Sequence, residues 1–192
     1  MRFRKSAPTS WAGFVALALG VLLVALPGCG RNKVTVDVDV DSFIDPADLT
    51  GQYNAPAGVP ELALELDPVS VNLVEGFSGV GPAEEMTLEV AVSYDNISGE
   101  GEARFTLFFA ETAADVFNTP AVGHIDANLV PQAITNGTTR IAANQRILDL
   151  FELDHMYMGL RFQWMPQTVA PLEGSYTITS IRAEVVSTVQ IF

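Results

Sequence analysis

The sequence predicts an all-β protein: an antiparallel β-sandwich, immunoglobulin-like or jelly-roll-like, with one or two short helices. Three observations lead there. Apolar residues recur at every second position in several segments, helical spacing is nearly absent, and turn formers separate the alternating runs. At 192 residues the chain is long enough for a sizeable core, and one domain is the natural count.

Val34, Val36, Val38 and Val40 alternate with Thr35, Asp37, Asp39 and Asp41, which predicts a strand with one buried and one wet face. Leu62-Leu64-Leu66 and Val69-Val71-Leu73 alternate on opposite parity around Asp67-Pro68, so a bulge or a break into two short strands is expected. Met86, Leu88, Val90, Val92 and Tyr94 form a third set, and Met156, Met158, Leu160, Phe162 and Trp164 another. Residues 103–110 and 176–191 are apolar on both faces over part of their length. They are read as central strands or as surfaces covered by another element. Asn96 to Gly101, Asn118 to Pro120 and Asn136-Gly137 are read as turns.

Helical signals are brief. Ile147, Leu148, Leu150 and Phe151 have helical spacing and Asn144 can cap them, so a helix near 145–153 is expected. Asp45-Pro46 resembles a first helical turn, and Thr112 to Phe117 makes another. About eight or nine strands with these short helices give the sandwich.

The first residues have a different character. Arg2, Arg4 and Lys5 precede an apolar run from Trp11 to Leu26, and Leu26-Pro27-Gly28 leads to Cys29, the single cysteine. A positive start, an apolar centre and a small-residue end mark an export signal. The run is 16 residues, short of the roughly 18 of a spanning helix.

Leu26-Pro27-Gly28-Cys29 resembles the lipobox of bacterial lipoproteins, with Pro27 as a departure from the commoner small or β-branched residue. The resemblance covers residues 1–29 only. It implies that 1–28 is a signal peptide that is removed and that the Cys29 thiol carries a diacylglycerol; in that family the new amino group is often acylated as well. Two or more chains anchor a protein stably, at about 0.8 kcal/mol per buried CH₂. Residues 29–33 then form a lipidated tether and 34–192 a single β-sandwich domain. Gly30, where an aspartate is absent, implies the outer membrane in a two-membrane bacterium, and otherwise the outer face of the cell membrane.

Charge narrows the partners. Residues 29–192 hold seven of the ten basic residues and all 23 acids, a formal charge of −16. That excludes nucleic acid, which needs a basic footprint, and adhesion to anionic lipid through the protein surface. With Cys29 lipidated, disulfides, thiol catalysis and cysteine metal sites are excluded too.

The sharpest chemical candidate is an aspartate string. From Asp37, acids fall at loop positions 1, 3, 5, 9 and 12 (Asp37, Asp39, Asp41, Asp45, Asp48), which is EF-hand calcium spacing, with Ile44 at position 8. The fit fails at Ser42, where the turn needs glycine, at Asp48, where a bidentate glutamate belongs, and in the strand-like flank. Each acid has a simpler reading: Asp37 and Asp39 on a wet strand face, Asp41 near its end, Asp45 as a cap and Asp48 in the first turn.

Catalytic sets are weaker. His124 and His155 each have a nearby acid, Asp126 and Asp154, but form no recognisable metal pair. Gly76-Phe77-Ser78-Gly79 fails the nucleophile-elbow pattern at Val80. Glu84-Glu85 and Glu100/Glu102 lack glycosidase support. The two glycosylation-like sites at Asn96 and Asn136 are read as turns.

The expected function is a non-catalytic surface lipoprotein. Its β-sandwich binds an envelope protein or glycan, or serves structurally, without cofactor, in the bacterial cell envelope. The alternative is an envelope hydrolase or metal-dependent enzyme whose site gathers His124, His155, Asp126 and Asp154. Tyr157 or Trp164 on an exposed sheet face would favour glycan or protein binding, with core packing the simpler role for Trp164.

Overall fold

A computed structural model describes residues 32–72, 83–151, 153 and 155–189. Cys29 and its lipobox, residues 76–79, Asp154 and Phe192 lie outside the described residues.

Among the described residues, ten strands form two antiparallel sheets. They are β1 (Asn32–Asp39), β2 (Thr50–Ala55), β3 (Leu62–Glu65), β4 (Val69–Asn72), β5 (Ala83–Ser98), β6 (Gly101–Ala110), β7 (Gly123–Leu129), β8 (Ala133–Ala142), β9 (His155–Pro166) and β10 (Leu172–Val189). The first sheet runs β1-β10-β5-β8, with β2 also on β10; the second runs β3-β9-β6-β7, with β4 also on β9.

The breaks explain the doubled edge strands. β1 pairs with Arg182–Val189 and β2 with Leu172–Thr177, on one edge of β10. A 3-10 turn, Val40–Phe43, and the loop after it separate them. β3 and β4 likewise share one edge of β9, parted at Leu66-Asp67-Pro68, because proline at an edge has no N–H for a ladder. With each pair counted as one interrupted strand, the order becomes 1-8-3-6 facing 2-7-4-5. That double Greek key is a jelly roll, which decides between the two sandwich types.

The alternation read from the sequence fills the space between the sheets. Leu88, Val90, Val92 and Tyr94 of β5 face Phe105, Leu107 and Phe109 of β6 in one core. Trp164 is buried and stacks on Tyr53, with ring centroids 5.1 Å apart; Phe162 lies 5.6 Å from Trp164 and 4.0 Å from Tyr176. Two buried polar atoms, the Tyr94 hydroxyl and Trp164 Nε1, have no hydrogen-bond partner among the described residues.

Residues 176–189 read as apolar on both faces because the parity changes within β10. A register shift between Ile178 and Ser180 leaves Thr179 as an extra residue, and its hydroxyl donates to the Ala91 carbonyl at 3.1 Å. Tyr176 and Ile178 before the bulge and Ile181, Ala183 and Val185 after it all point inward. In β6 the cause is coverage: a 3-10 turn, Ala113–Asn118, lies over its outer face, with Phe117 edge-on to Phe108 at 5.6 Å.

The helix α1 (Gln145–Leu150) forms as expected, its Ile147 N–H donating to Asn144 Oδ1 at 3.1 Å. Asp45 also caps a turn: its Oδ1 accepts from Ala47 N–H at 2.9 Å, and Asp48 N–H donates to its carbonyl.

The Asn136-Gly137 reading is corrected: both residues lie mid-strand in β8, paired with Ser93 and Val92. Glycine serves packing there, since a Cβ would collide with Ile125 of the facing sheet. The turn lies earlier, at Val130–Gln132, where Gln132 takes a positive φ of 56°. Asn96 likewise belongs to β5 rather than to a turn. It is buried, accepts from Tyr53 Oη at 3.1 Å and donates to the Gly99 carbonyl at 2.8 Å.

Candidate binding face

The outer face of the first sheet collects charges that sequence order keeps far apart. Alternation sends Val36, Leu88, Val90, Ala183 and Val185 inward, so Asp37, Asp39, Thr87, Glu89, Arg182 and Glu184 face out. The registers then align Asp39 with Arg182, Arg182 with Glu89, and Glu89 with Arg140. Four neighbouring strands thus carry a row of acid, base, acid, base. One step along, Asp37, Glu184 and Thr87 form a second row. These seven side chains line an open cleft of about 380 Å³.

Two ion pairs organise it. Arg182 Nε lies 3.3 Å from Asp39 Oδ1, and Arg140 Nη2 lies 3.1 Å from Glu184 Oε2, diagonally across β5. All four groups are exposed, so the pairs contribute about 0–1 kcal/mol each to stability. Asp37 stands directly opposite Glu184, an unfavourable like-charge pairing for a sheet. The arrangement offers fixed carboxylate acceptors between guanidinium donors, with the Thr87 hydroxyl as either. It holds no nucleophile paired to a base.

The aspartate string does not converge. Asp37 and Asp39 belong to this strand face, Asp41 to the 3-10 turn, and Asp45 and Asp48 to the capped turn that follows. Among the described residues, no group of three or more potential ligands is placed to hold a metal ion.

The histidines lie on the outer face of the other sheet. His124 Nε2 is 3.5 Å from Asp126 Oδ2. Asp126 is committed to Arg104, at 2.6 and 3.3 Å, and that bond holds its carboxyl below the usual carboxylate range. His155 starts β9, six residues along from Arg161, which is opposite Thr106 and so two strands from His124. The separation is about 20 Å along the sheet. His155 instead packs edge-on to half-buried Tyr157 at 6.0 Å, so the two histidines share no site.

A second cavity of about 560 Å³ lies where α1 meets the 3-10 turn Ala113–Asn118. Its polar groups hold the local structure. Arg146 donates to the Phe109 and Pro120 carbonyls at 3.0 and 3.1 Å, Asp115 accepts from Thr112, and Asp149 from Gln145.

The cleft row is not legible in the sequence, because Asn136-Gly137 reads as a turn and so hides the strand that carries Arg140. The signal that could have found it is the β-branched content of Ile134, Thr135, Thr138, Thr139 and Ile141.

No protein-family model and no curated protein matches the chain. Among solved structures it is similar to one of infectious bursal disease virus, strain Gx, at 11% identity and a TM-score of 0.48, over 97% of this chain and 47% of that one. It is similar to a carbohydrate-binding module of type CBM28, specific for non-crystalline cellulose, at 12% identity and 0.38, over 69% and 71%. A third is Eiger TNF from S. frugiperda, at 7% identity and 0.36, over 75% and 94%. The chain spans about half the length of the first. By its own topology the chain is a jelly-roll β-sandwich protein with a charged cleft on one outer face.

Proposed function

We propose that this chain is a lipid-anchored cell-envelope protein whose jelly roll binds, without catalysis, a polyhydroxylated envelope component such as a glycan. The observation that carries the reading is the open row Asp39–Arg182–Glu89–Arg140. Alternating donors and acceptors, held by the ladder of four strands, suit a ligand that both gives and takes hydrogen bonds. Anchoring rests on the lipobox resemblance at Cys29. In keeping with it, β1 already includes Asn32, three residues after Cys29 in the sequence. The strongly acidic surface does not itself attract anionic lipid, which leaves the acyl chains as the attachment.

Two measurements test it. Titration of the full chain in detergent with solubilised envelope glycans gives saturable binding that Arg140→Ala/Arg182→Ala abolishes while the melting temperature is unchanged. Binding that survives the double variant moves the site elsewhere, and turnover of any glycan overturns the non-catalytic reading. Metabolic labelling with a palmitate analogue marks the wild type and not Cys29→Ala; equal labelling of both sinks the anchor.

A further inference from the structure

The outer faces of the two sheets spend their hydrogen-bonding groups differently. On the second sheet the polar side chains bond to one another: Arg161 to Glu65, Gln163 to Glu61 and Arg104 to Asp126. On the first, the face beyond the charged cleft keeps them free. Strand pairing sets Thr50, Thr177, Ser93 and Asn136 in one row across β2, β10, β5 and β8. The next row holds Gln52, Ser175, Asp95 and Ile134. Their chain neighbours Val92, Tyr94, Tyr176 and Ile178 are buried, so these side chains point to solvent. None of the polar ones makes a side-chain hydrogen bond or ion pair among the described residues.

The rows continue the cleft. Glu89 in the cleft and Asp95 in the far row lie six residues apart on β5, about 20 Å. Between the cleft and the first row stand Ala91, Thr138, Ser180 and the bulge residue Thr179, all short. At the far end Ile97 and Ile134 are 65% and 66% exposed. The surface thus mixes donors and acceptors with an apolar margin. A sugar unit carries the same mixture, hydroxyls around its rim and C–H groups on its faces. Short side chains on a rigid sheet meet it at little cost in ordering.

We infer, resting on the glycan reading of the cleft, that the ligand is a linear glycan lying along β5 and β10. One end occupies the cleft, and the following units cross the rows as far as Ile97 and Ile134. Continuity selects this occupant: a short sugar fills the cleft and leaves the rows in water, whereas an extended chain uses both. With Asp95 as their one acid and no base, the rows give an anionic polymer no counter-charge. The units lying over them are therefore neutral.

Calorimetric titration of the full chain in detergent with protease-treated, size-fractionated envelope oligosaccharides tests this. Affinity rises with chain length, by at least about tenfold from the shortest fragment that binds to fragments long enough to reach Ile134. Ser93→Ala/Asn136→Ala/Thr177→Ala, with an unchanged melting temperature, keeps the affinity for short fragments and loses the gain. Gln163→Ala on the second sheet keeps both. Affinity independent of length, or a gain that survives the triple variant, overturns the extended track and leaves the cleft reading standing. Binding at no length overturns both, as does binding that protease treatment of the extract removes, which points to a protein partner.

Discussion

The outer faces of the two sheets carry arginine–carboxylate pairs of similar geometry in different surroundings. On the first sheet Arg182 and Arg140 are well exposed, with side-chain exposures of 69% and 64%, and meet Asp39 and Glu184 in an open cleft. On the second, the 3-10 turn Ala113–Asn118 lies across β6 and β9. Gly159 makes room for it, since a Cβ there would press on Val116 and Phe117. Beneath this cover Arg161 is 26% exposed, bonds Glu65 at 2.6 Å, and holds its guanidinium 4.8 Å from the Phe108 ring and 5.4 Å from the Phe117 ring. An ion pair in water adds little to stability, and the same pair over aromatic rings adds more. The pair under the turn is therefore structural, while the pairs of the open cleft keep their charges in water.

The comparison can be broken from within first. Phe162 packs against Phe105, Trp164 and Tyr176, so Phe162→Ala undermines both sheets equally and should cost about 3–5 kcal/mol in denaturant titration. A loss confined to one face would contradict the shared core.

Alkali then separates the sheets from inside. Tyr53, Tyr94 and Tyr176 belong to β2, β5 and β10 of the first sheet, and burial pushes all three hydroxyls up from their ordinary pKa. The folded state keeps these protons where the unfolded state loses them. Their contribution is therefore fully present below about pH 10 and declines above it. Phenolate absorbance should rise together with loss of β-sheet circular dichroism; earlier, non-cooperative ionisation of these tyrosines would contradict their burial.

On the covered face, Gly159→Val should cost about 1–3 kcal/mol by forcing the 3-10 turn off β9. Fluorescence of an added hydrophobic dye checks it, because Phe108 becomes exposed. The smallest effects sharpen the contrast between arginines. Arg161→Ala should cost about 1–2 kcal/mol and Arg182→Ala less than about 1 kcal/mol, by thermal melts at low and high salt. Equal costs would mean that the cover adds nothing.

How much was legible follows from how local each signal is. The alternation in β1, β5 and β9, the split at Asp67-Pro68 and the Asn144 cap rest on residues a few positions apart. They were readable because side-chain period and cap chemistry act over that range. Asn136-Gly137 misled because the same dipeptide that favours a hairpin turn also permits close sheet packing. The candidate face was legible only in part: Asp37 and Asp39 were recognised as a wet strand face, but their neighbours on β10, β5 and β8 were not.

The sequence by itself determined a two-layered β protein with short helices, an acidic surface and an apolar interior, because burial and alternation leave little other choice. Tertiary structure alone decided the jelly-roll order, the parity change at Thr179, the strand role of Gly137 and the alignment of Asp39, Arg182, Glu89 and Arg140. Each depends on which distant strands pair and in what register. Packing between the sheets fixes that register, and no local stretch of the chain encodes it.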